Sequence, residues 1–533
     1  MRVACAAIAC FCTATVCHSV LATFEDDTRH TALSVELGAA TPTGAGVRVV
    51  HVEGHAGTID PNTGLPPDGE WDYIADPNYA QFLGPAKSFN VIIPPPTTAA
   101  DTSTHATFTV GQFFYGNTFS VAHDVMDIDA ILASHWYQDG LLRWGQPFVP
   151  RVVPPGNEIL PHARQANHSW IADFQSPIDL EILSRLDWRI HQDNDIQVVG
   201  IGNSRGSPQM SLLSGAFNVI TAGSVSGDHA IGTAAASGAL YQPGRTRPDI
   251  VSPVYASTSH NAARISSAVS LLIETGRDGG LTLSNGSVTS RDANPSGAPN
   301  IQTIYHAETV EVIRAAMMAG ANRQAVTDDD NNGNFDVYTV NTTNGLNDRY
   351  GAGQLDIYNA YHILASGEYD SREDGDLTDI GSRGFDYDTS FTDSDAANYH
   401  FTISEESEFT ASLVWDIDID ITKVVWIGCH PSNCIDNPEL PNAATLHDLD
   451  LFLYDRFDES LVASSTSLVE NTEHLFVTDL APGDYRLEVM PKASQSFDWH
   501  YGLAWQVYVP EPASLAWLVA GGLLSLCGRR RFS

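Results

Sequence analysis

Val254 to Glu274 reads VYASTSHNAARISSAVSLLIE, and the reading of its serines decides the fold. Small residues open the stretch. After them Ala263, Ile265, Ala268, Val269, Leu272 and Ile273 recur at three- and four-residue spacing, the apolar stripe of a helix with one buried face. Ser259 sits at its start, near unpaired backbone N–H groups and the positive end of the helix dipole. A hydroxyl there has two readings. It caps the helix by accepting an orphan N–H bond, or it is a nucleophile. A nucleophile needs a base, a group to orient that base, and an oxyanion hole.

Outward from that helix, about Gly44 to Gly367 alternates short apolar runs with helical patterns. GVRVVHVEG, QVVGIGN and AFNVITAG read as buried strands; PIDLEILSRLDWRIHQ and AETVEVIRAAMMAG read as helices. Such alternation predicts an α/β domain, a mostly parallel sheet with helices on both faces. Glu368 to Asn398 is acidic, rich in Asp, Ser and Gly, and reads as a linker. From about Tyr399 to Val509 the period changes to two, in FTASLVW, DLDLFLYD, HLFVTDL and GDYRLEV. That pattern predicts an antiparallel β-sandwich or jelly roll.

The first domain supplies partners for Ser259. Glu53 ends the strand in HVEG, at the carboxyl edge where sites gather in open α/β sheets. His105 in STHATFTVGQFFYG opens a helical stretch. Asn203 ends the strand in VVGIGN, and its amide is suited to donate to an oxyanion. The chain order is acid, histidine, amide, serine.

These stretches resemble the subtilase family of serine peptidases. GVRVVHVEGH stands where the family has a hydrophobic strand ending in Asp-(Thr/Ser)-Gly, and HATFTVG where it has His-Gly-Thr-His-Val-Ala-Gly. ANHSWI, Ala166 to Ile171, is similar to the substrate-binding strand, and VVGIGN to the Ala-Gly-Asn of the oxyanion hole. GRTRPDIVSP, Gly244 to Pro253, resembles the family's Lys/Arg-Pro-Asp-(Ile/Val) stretch. STSHNAARISSAVSLL stands for Gly-Thr-Ser-Met-Ala-Ala-Pro-His-Val, and RYGAGQLDIYNAYHIL, Arg349 to Leu364, for the closing strand and helix. The resemblance implies a subtilisin-like fold and a serine endopeptidase acting on protein or peptide substrates. Ser259 would be nucleophile, His105 base, Glu53 the orienting acid, and Asn203 an oxyanion donor. No cofactor is required for that chemistry.

The pattern also departs from the family. The acid is Glu rather than Asp, with Asp60 in GTIDPN as a second candidate. Phe108 replaces the second motif histidine, His260 the methionine after the serine, and Ala263 the proline. A catalytically inactive chain of the same fold, serving as a surface or matrix binding protein, is therefore the alternative.

Composition narrows the partners. A net charge of −38 over 533 residues argues against nucleic acid, whose phosphates require basic surface. DDDNNGNFD begins like an EF-hand loop, offering Asp328, Asp330, Asn332 and Asp336 to calcium as a structural ion. Thr339 stands where the bidentate glutamate belongs, and a solvated acidic loop is the favoured reading. HDLDLFLYD and LAPGDYRLEV resemble the β-domain that follows the peptidase in some larger subtilases.

Both ends read as targeting segments. MRVACAAIACFCTATVCHSVLA, residues 1–22, has the early arginine, apolar run and small-residue exit of a signal peptide. The segment 510–533 resembles a PEP-CTERM sorting tail: Pro510-Glu511-Pro512, an apolar run from Ala513 to Cys527, then Arg529 to Arg531. That run is short for the roughly 20 residues of a spanning helix. The resemblance implies export in a Gram-negative-type bacterium, a transient hold in the inner membrane by a C-terminal transmembrane segment, and cleavage by an exosortase, leaving a secreted or cell-surface product. Cys429 and Cys434, the cysteines outside the two end segments, are expected to form a loop disulfide. The expected organisation is a signal peptide at 1–22, a peptidase domain at 44–367, a linker at 368–398, a sandwich at 399–509 and a sorting tail at 510–533.

Overall fold

Short runs, most of them containing Val or Ile, form the strands of the first domain. The structure, a computed structural model, describes residues 23–60, 63, 65–79, 87–93, 99–114, 120–140, 142, 163–172, 178–203, 212–233, 240–253, 257–293, 299–324, 338–392, 396–420, 444–492 and 498–509. The strands are β1 (Arg48–Glu53), β2 (Ser88–Ile92), β3 (Asp127–Leu132), β4 (Ala163–His168), β5 (Ile196–Gly200), β6 (Ile220–Ser224) and β7 (Ile250–Ser252). They form a parallel sheet in the order β2-β3-β1-β4-β5-β6-β7. β4 to β7 are buried at every position, as in a sheet covered on both faces.

The helices of eight or more residues are α1 (His30–Leu37), α2 (Thr104–Phe114), α3 (Ile178–Asp193), α4 (Thr258–Gly279), α5 (Val310–Ala319) and α6 (Ile357–Ala365). Side chains of β4 show what covers each face. Gln165 donates to Ser266 O and Ser270 Oγ of α4, at 2.9 and 3.0 Å. His168 points to the opposite face, bonded to Gln197 Oε1 at 2.7 Å, with its ring 4.5 Å from that of Trp136. The expected α/β architecture is the one observed.

The second domain is an antiparallel sandwich, also as expected. Its strands are β8 (Arg383–Thr392), β9 (Ala397–Ile403), β10 (Ser407–Val414), β11 (Leu449–Asp455), β12 (Leu461–Ser465), β13 (Thr472–Leu480), β14 (Gly483–Pro491) and β15 (Asp498–Tyr508). One sheet runs β8-β15-β10-β13 and the other β9-β14-β11-β12. Phe409, Trp415, Leu451, Leu487 and Trp505 fill the space between them. The stretch read as an acidic linker differs from that reading, because β8 lies within it. Its acids hid the alternation: Asp386 is buried among them, its carboxylate accepting from Tyr399 Oη.

The two domains share packing. Val312 and Ile313 of α5 belong to one apolar cluster with Val414, Ile417 and Ala504 of the sandwich. The last carbonyl of α5, at Ala319, accepts from Thr410 Oγ1 at 2.8 Å and Gln506 Nε2 at 3.2 Å. Sandwich side chains thus satisfy an orphan carbonyl of a helix end in the other domain.

Among the described residues no helix is long and apolar enough to cross a membrane. The expected signal peptide and sorting tail lie outside the described residues, as do Cys429, Cys434 and the calcium-loop candidates Asp328, Asp330, Asn332 and Asp336.

Candidate active site

Parallel pairing sets His51 of β1 beside Asn167 of β4. Side chains two apart on a strand share a face, so Glu53 joins them on the face that α4 covers, and α2 lies against α4 there. His105, in the first turn of α2, places Nδ1 2.8 Å from Glu53 Oε2. A carboxylate only accepts, so Nδ1 carries the proton and Nε2 keeps its lone pair. Glu53 is buried and its other oxygen accepts from Gly54 N–H at 2.8 Å.

His51 supports the same carboxylate from behind. Its Nδ1 takes a bond from Asn167 Nδ2 at 3.3 Å, and its Nε2 lies 3.5 Å from Glu53 Oε2. Burial pushes the Glu53 carboxyl up, yet the bonds from His105 and His51 outweigh it and hold the group below the usual value. His105 moves oppositely. The hydrogen bond to Glu53 raises it, against a smaller opposing effect of burial. The imidazole is thus a stronger base than a free histidine.

Ser259 is the second residue of α4, and the cap position belongs to Ser257. The Ser259 hydroxyl donates to the Ser169 carbonyl at 3.1 Å, and Ser169 Oγ donates back to Ser259 O at 2.8 Å. Among the described residues its hydroxyl makes no bond to the helix start, so it does not serve as the cap. A bond from Ser259 to His105 is not among the hydrogen bonds of the described residues. The neighbouring turn is near: the His260 ring centroid lies 6.3 Å from that of His105. His260 takes Ser257 Oγ on Nδ1 at 2.7 Å. Burial, with Arg264 and His105 nearby, lowers it to about 4, so it is uncharged at neutral pH.

Asn203 meets the same helix start. Its Oδ1 accepts from Thr258 N–H at 2.7 Å and from Thr258 Oγ1 at 2.8 Å. With the carbonyl half so held, Nδ2 is the donor half of this exposed side chain. β5 comes close for a steric reason. A Cβ on Gly200 would stand 2.9 Å from Thr258 O.

Asn167 joins both sides of the cluster. One amide hydrogen goes to His51, the other to Ser169 Oγ at 2.7 Å, and Ser169 holds the Ser259 backbone. Sequence reading placed Asn167 and Ser169 in a substrate-binding strand and gave His51 no role. The available signal was its position two residues before Glu53, on the same strand face. Asp60 lies in the loop after β1, its backbone N–H bonded to Leu65 O at 2.9 Å. Phe108 is exposed and packs edge-on against Tyr79.

No protein-family model matches the chain, and no curated protein matches it. Among solved structures it is similar to the MycP3 protease of a type VII (ESX-3) secretion system: 13% identity, TM-score 0.32, over 63% of this chain and 87% of that one. It is similar to MycP1, a serine protease described as an essential component of the ESX-1 system, at 17% identity and TM-score 0.31, over 64% and 88%. It is also similar to the pre-peptidase C-terminal domain of a collagenase from Bacillus anthracis, at 13% identity and TM-score 0.16, over 24% and 93%. Likeness at these scores carries no weight for function, which rests on the side chains.

Proposed function

We propose that this chain is an exported serine endopeptidase in which Ser259, His105 and Glu53 act as nucleophile, base and orienting acid. One observation carries the reading: the 2.8 Å bond from His105 Nδ1 to the buried Glu53 carboxylate. That bond leaves Nε2 as the proton acceptor, which is what attack by a serine requires. Substrate entry would turn the Ser259 hydroxyl from the Ser169 carbonyl toward Nε2. As Oγ attacks the peptide carbonyl, its proton passes to His105, and Glu53 stabilises the imidazolium. Asn203 Nδ2 and the Ser259 N–H would bind the oxyanion; one such donor is worth on the order of 10²–10³ in rate. His105 then gives the proton to the leaving amine, and water completes the cycle. The segment 1–22 fits export, and the tail at 510–533 fits exosortase-type processing toward the cell surface.

A second reading has its own observation. Ser259 donates to a backbone carbonyl rather than to His105, as it would in an inactive binding protein of the same fold. Fluorophosphonate labelling separates the two. The probe is expected to modify Ser259 in the native protein, and Ser259→Ala should lose both label and peptide hydrolysis. Absence of label on folded native protein would establish the binding protein.

A further inference from the structure

The boundary between the two domains holds a cluster that the proposed peptidase chemistry leaves unused. α3 brings His191 near its end, the chain leaving β10 brings Asp416, and β15 brings His500. One ligand atom from each lies within 4.8 Å of the others. His191 Nδ1 is 3.4 Å from Asp416 Oδ2, yet this buried nitrogen makes no hydrogen bond. Donors bound to one tetrahedral zinc at about 2.0–2.2 Å stand roughly 3.4 Å apart. The spacing that misses a hydrogen bond therefore suits a shared ion.

The surroundings hold these ligands in place. His500 Nε2 lies 2.9 Å from Glu311 Oε1 of α5, a charge contact outside hydrogen-bond geometry, placed where an outer carboxylate would orient a metal-bound imidazole. With Nε2 on Glu311, Nδ1 would be the ligand nitrogen. Trp499 donates from Nε1 to Asp416 O at 2.8 Å, and its ring stacks on His191 and His500 at 4.8 and 4.9 Å. Charge points the same way. Glu311 and Asp416 are both enclosed, and among the described residues their ion pairs are with these histidines alone. Buried carboxylates need a compensating charge. A divalent cation held by Asp416 and the two imidazoles would supply such a charge.

We propose that His191, Asp416 and His500 bind a divalent transition-metal ion of the zinc class, which ties the sandwich to the α/β domain, with Glu311 holding His500. Imidazole donors select against calcium and magnesium, which prefer all-oxygen sites. A water would complete the four positions. The site shares no residue with the proposed triad, so it stands independently of the peptidase reading.

The test uses the full chain carrying Ser259→Ala, which prevents self-cleavage. The protein is stripped with a chelator, titrated with zinc by calorimetry, and then loaded with cobalt(II) for visible absorption. One ion per chain is expected, with the intense visible bands of four-coordinate cobalt. His191→Ala and His500→Ala should each lower zinc affinity at least about 100-fold and abolish those bands, and Glu311→Gln should lower it about 10- to 100-fold. Zinc should raise the Tm of the parent chain and not that of the histidine variants. If a histidine variant fails to fold, stoichiometry and cobalt spectrum of the parent decide. Folded parent protein that binds no zinc would overturn the site, the carboxylates then being balanced by protons. Binding that persists unchanged in the histidine variants would overturn it as well.

Discussion

Glu53 carries the residue-scale argument, because a glutamate stands where the resembling family has aspartate. Its extra methylene is accommodated: the carboxylate reaches His105 at 2.8 Å while its second oxygen is held by Gly54 N–H. Glu53→Gln removes the charge and lets an amide favour the wrong tautomer, so turnover should fall by about 10⁴, the scale of an acid-to-amide change in such triads. Asp60→Asn in the same assay should be nearly neutral. If the Asp60 variant were the dead one, the acid would be misassigned. The pH profile gives a second measure. Bonding to Glu53 raises His105, and a general base works only when deprotonated, so the acid limb of kcat/KM should lie above the ordinary histidine value of 6.5. In Glu53→Gln the imidazolium loses its partner, and whatever limb remains measurable should shift to lower pH. A limb unmoved by the substitution would mean that the titrating group is not His105.

At the scale of elements, the site depends on how closely β5 meets the first turn of α4. Gly200 makes this approach possible, since a Cβ there would stand 2.9 Å from Thr258 O and 3.1 Å from Thr258 C. Those atoms are backbone and cannot swing aside. Gly200→Ala should displace the turn carrying Ser259 and the anchor of Asn203 by a few tenths of an ångström. Misplacement of about 1 Å can cost 10² in rate, so a roughly tenfold loss in kcat is expected while circular dichroism stays native. An unchanged kcat would mean that the turn can move without consequence. The elements themselves were legible from periodicity. β1 and β5 read as short apolar runs and α4 as a three-to-four spacing, and the turns at their ends are where Glu53, Asn203 and Ser259 were sought. What periodicity does not encode is which strands lie side by side. Asn167 and His51 are adjacent only because β1 pairs with β4, so the fork that links the acid to the serine was invisible. β8 escaped for a different reason: its alternating acids include the buried Asp386, whose partner Tyr399 lies on another strand.

At the scale of the whole molecule, the sandwich is built into the α/β domain rather than hung from it. β15 crosses α5 at Gly502, where a Cβ would meet Glu311 C at 2.7 Å and Val312 N at 2.8 Å. The glycine lets a strand of one domain lie directly on the helix backbone of the other. Around that contact, Thr410 and Gln506 satisfy Ala319 O, Asn218 Oδ1 accepts from Ile417 N–H at 3.0 Å, and Asn471 Nδ2 donates to Phe217 O at 3.1 Å. Each bond is buried, and giving it up to water on separating the domains costs about 0.5–1.5 kcal/mol apiece. It would also expose the shared apolar cluster. Unfolding should therefore be a single transition seen alike by near-ultraviolet circular dichroism and by proteolysis of either domain. Gly502→Val forces β15 away from α5. It should lower Tm by several degrees, the change expected from overpacking of about 1–3 kcal/mol, and it should lower the stability of both domains together. Two separated transitions in the variant, with the α/β domain melting at its native temperature, would show that the sandwich contributes nothing to the fold that carries Glu53, His105 and Ser259.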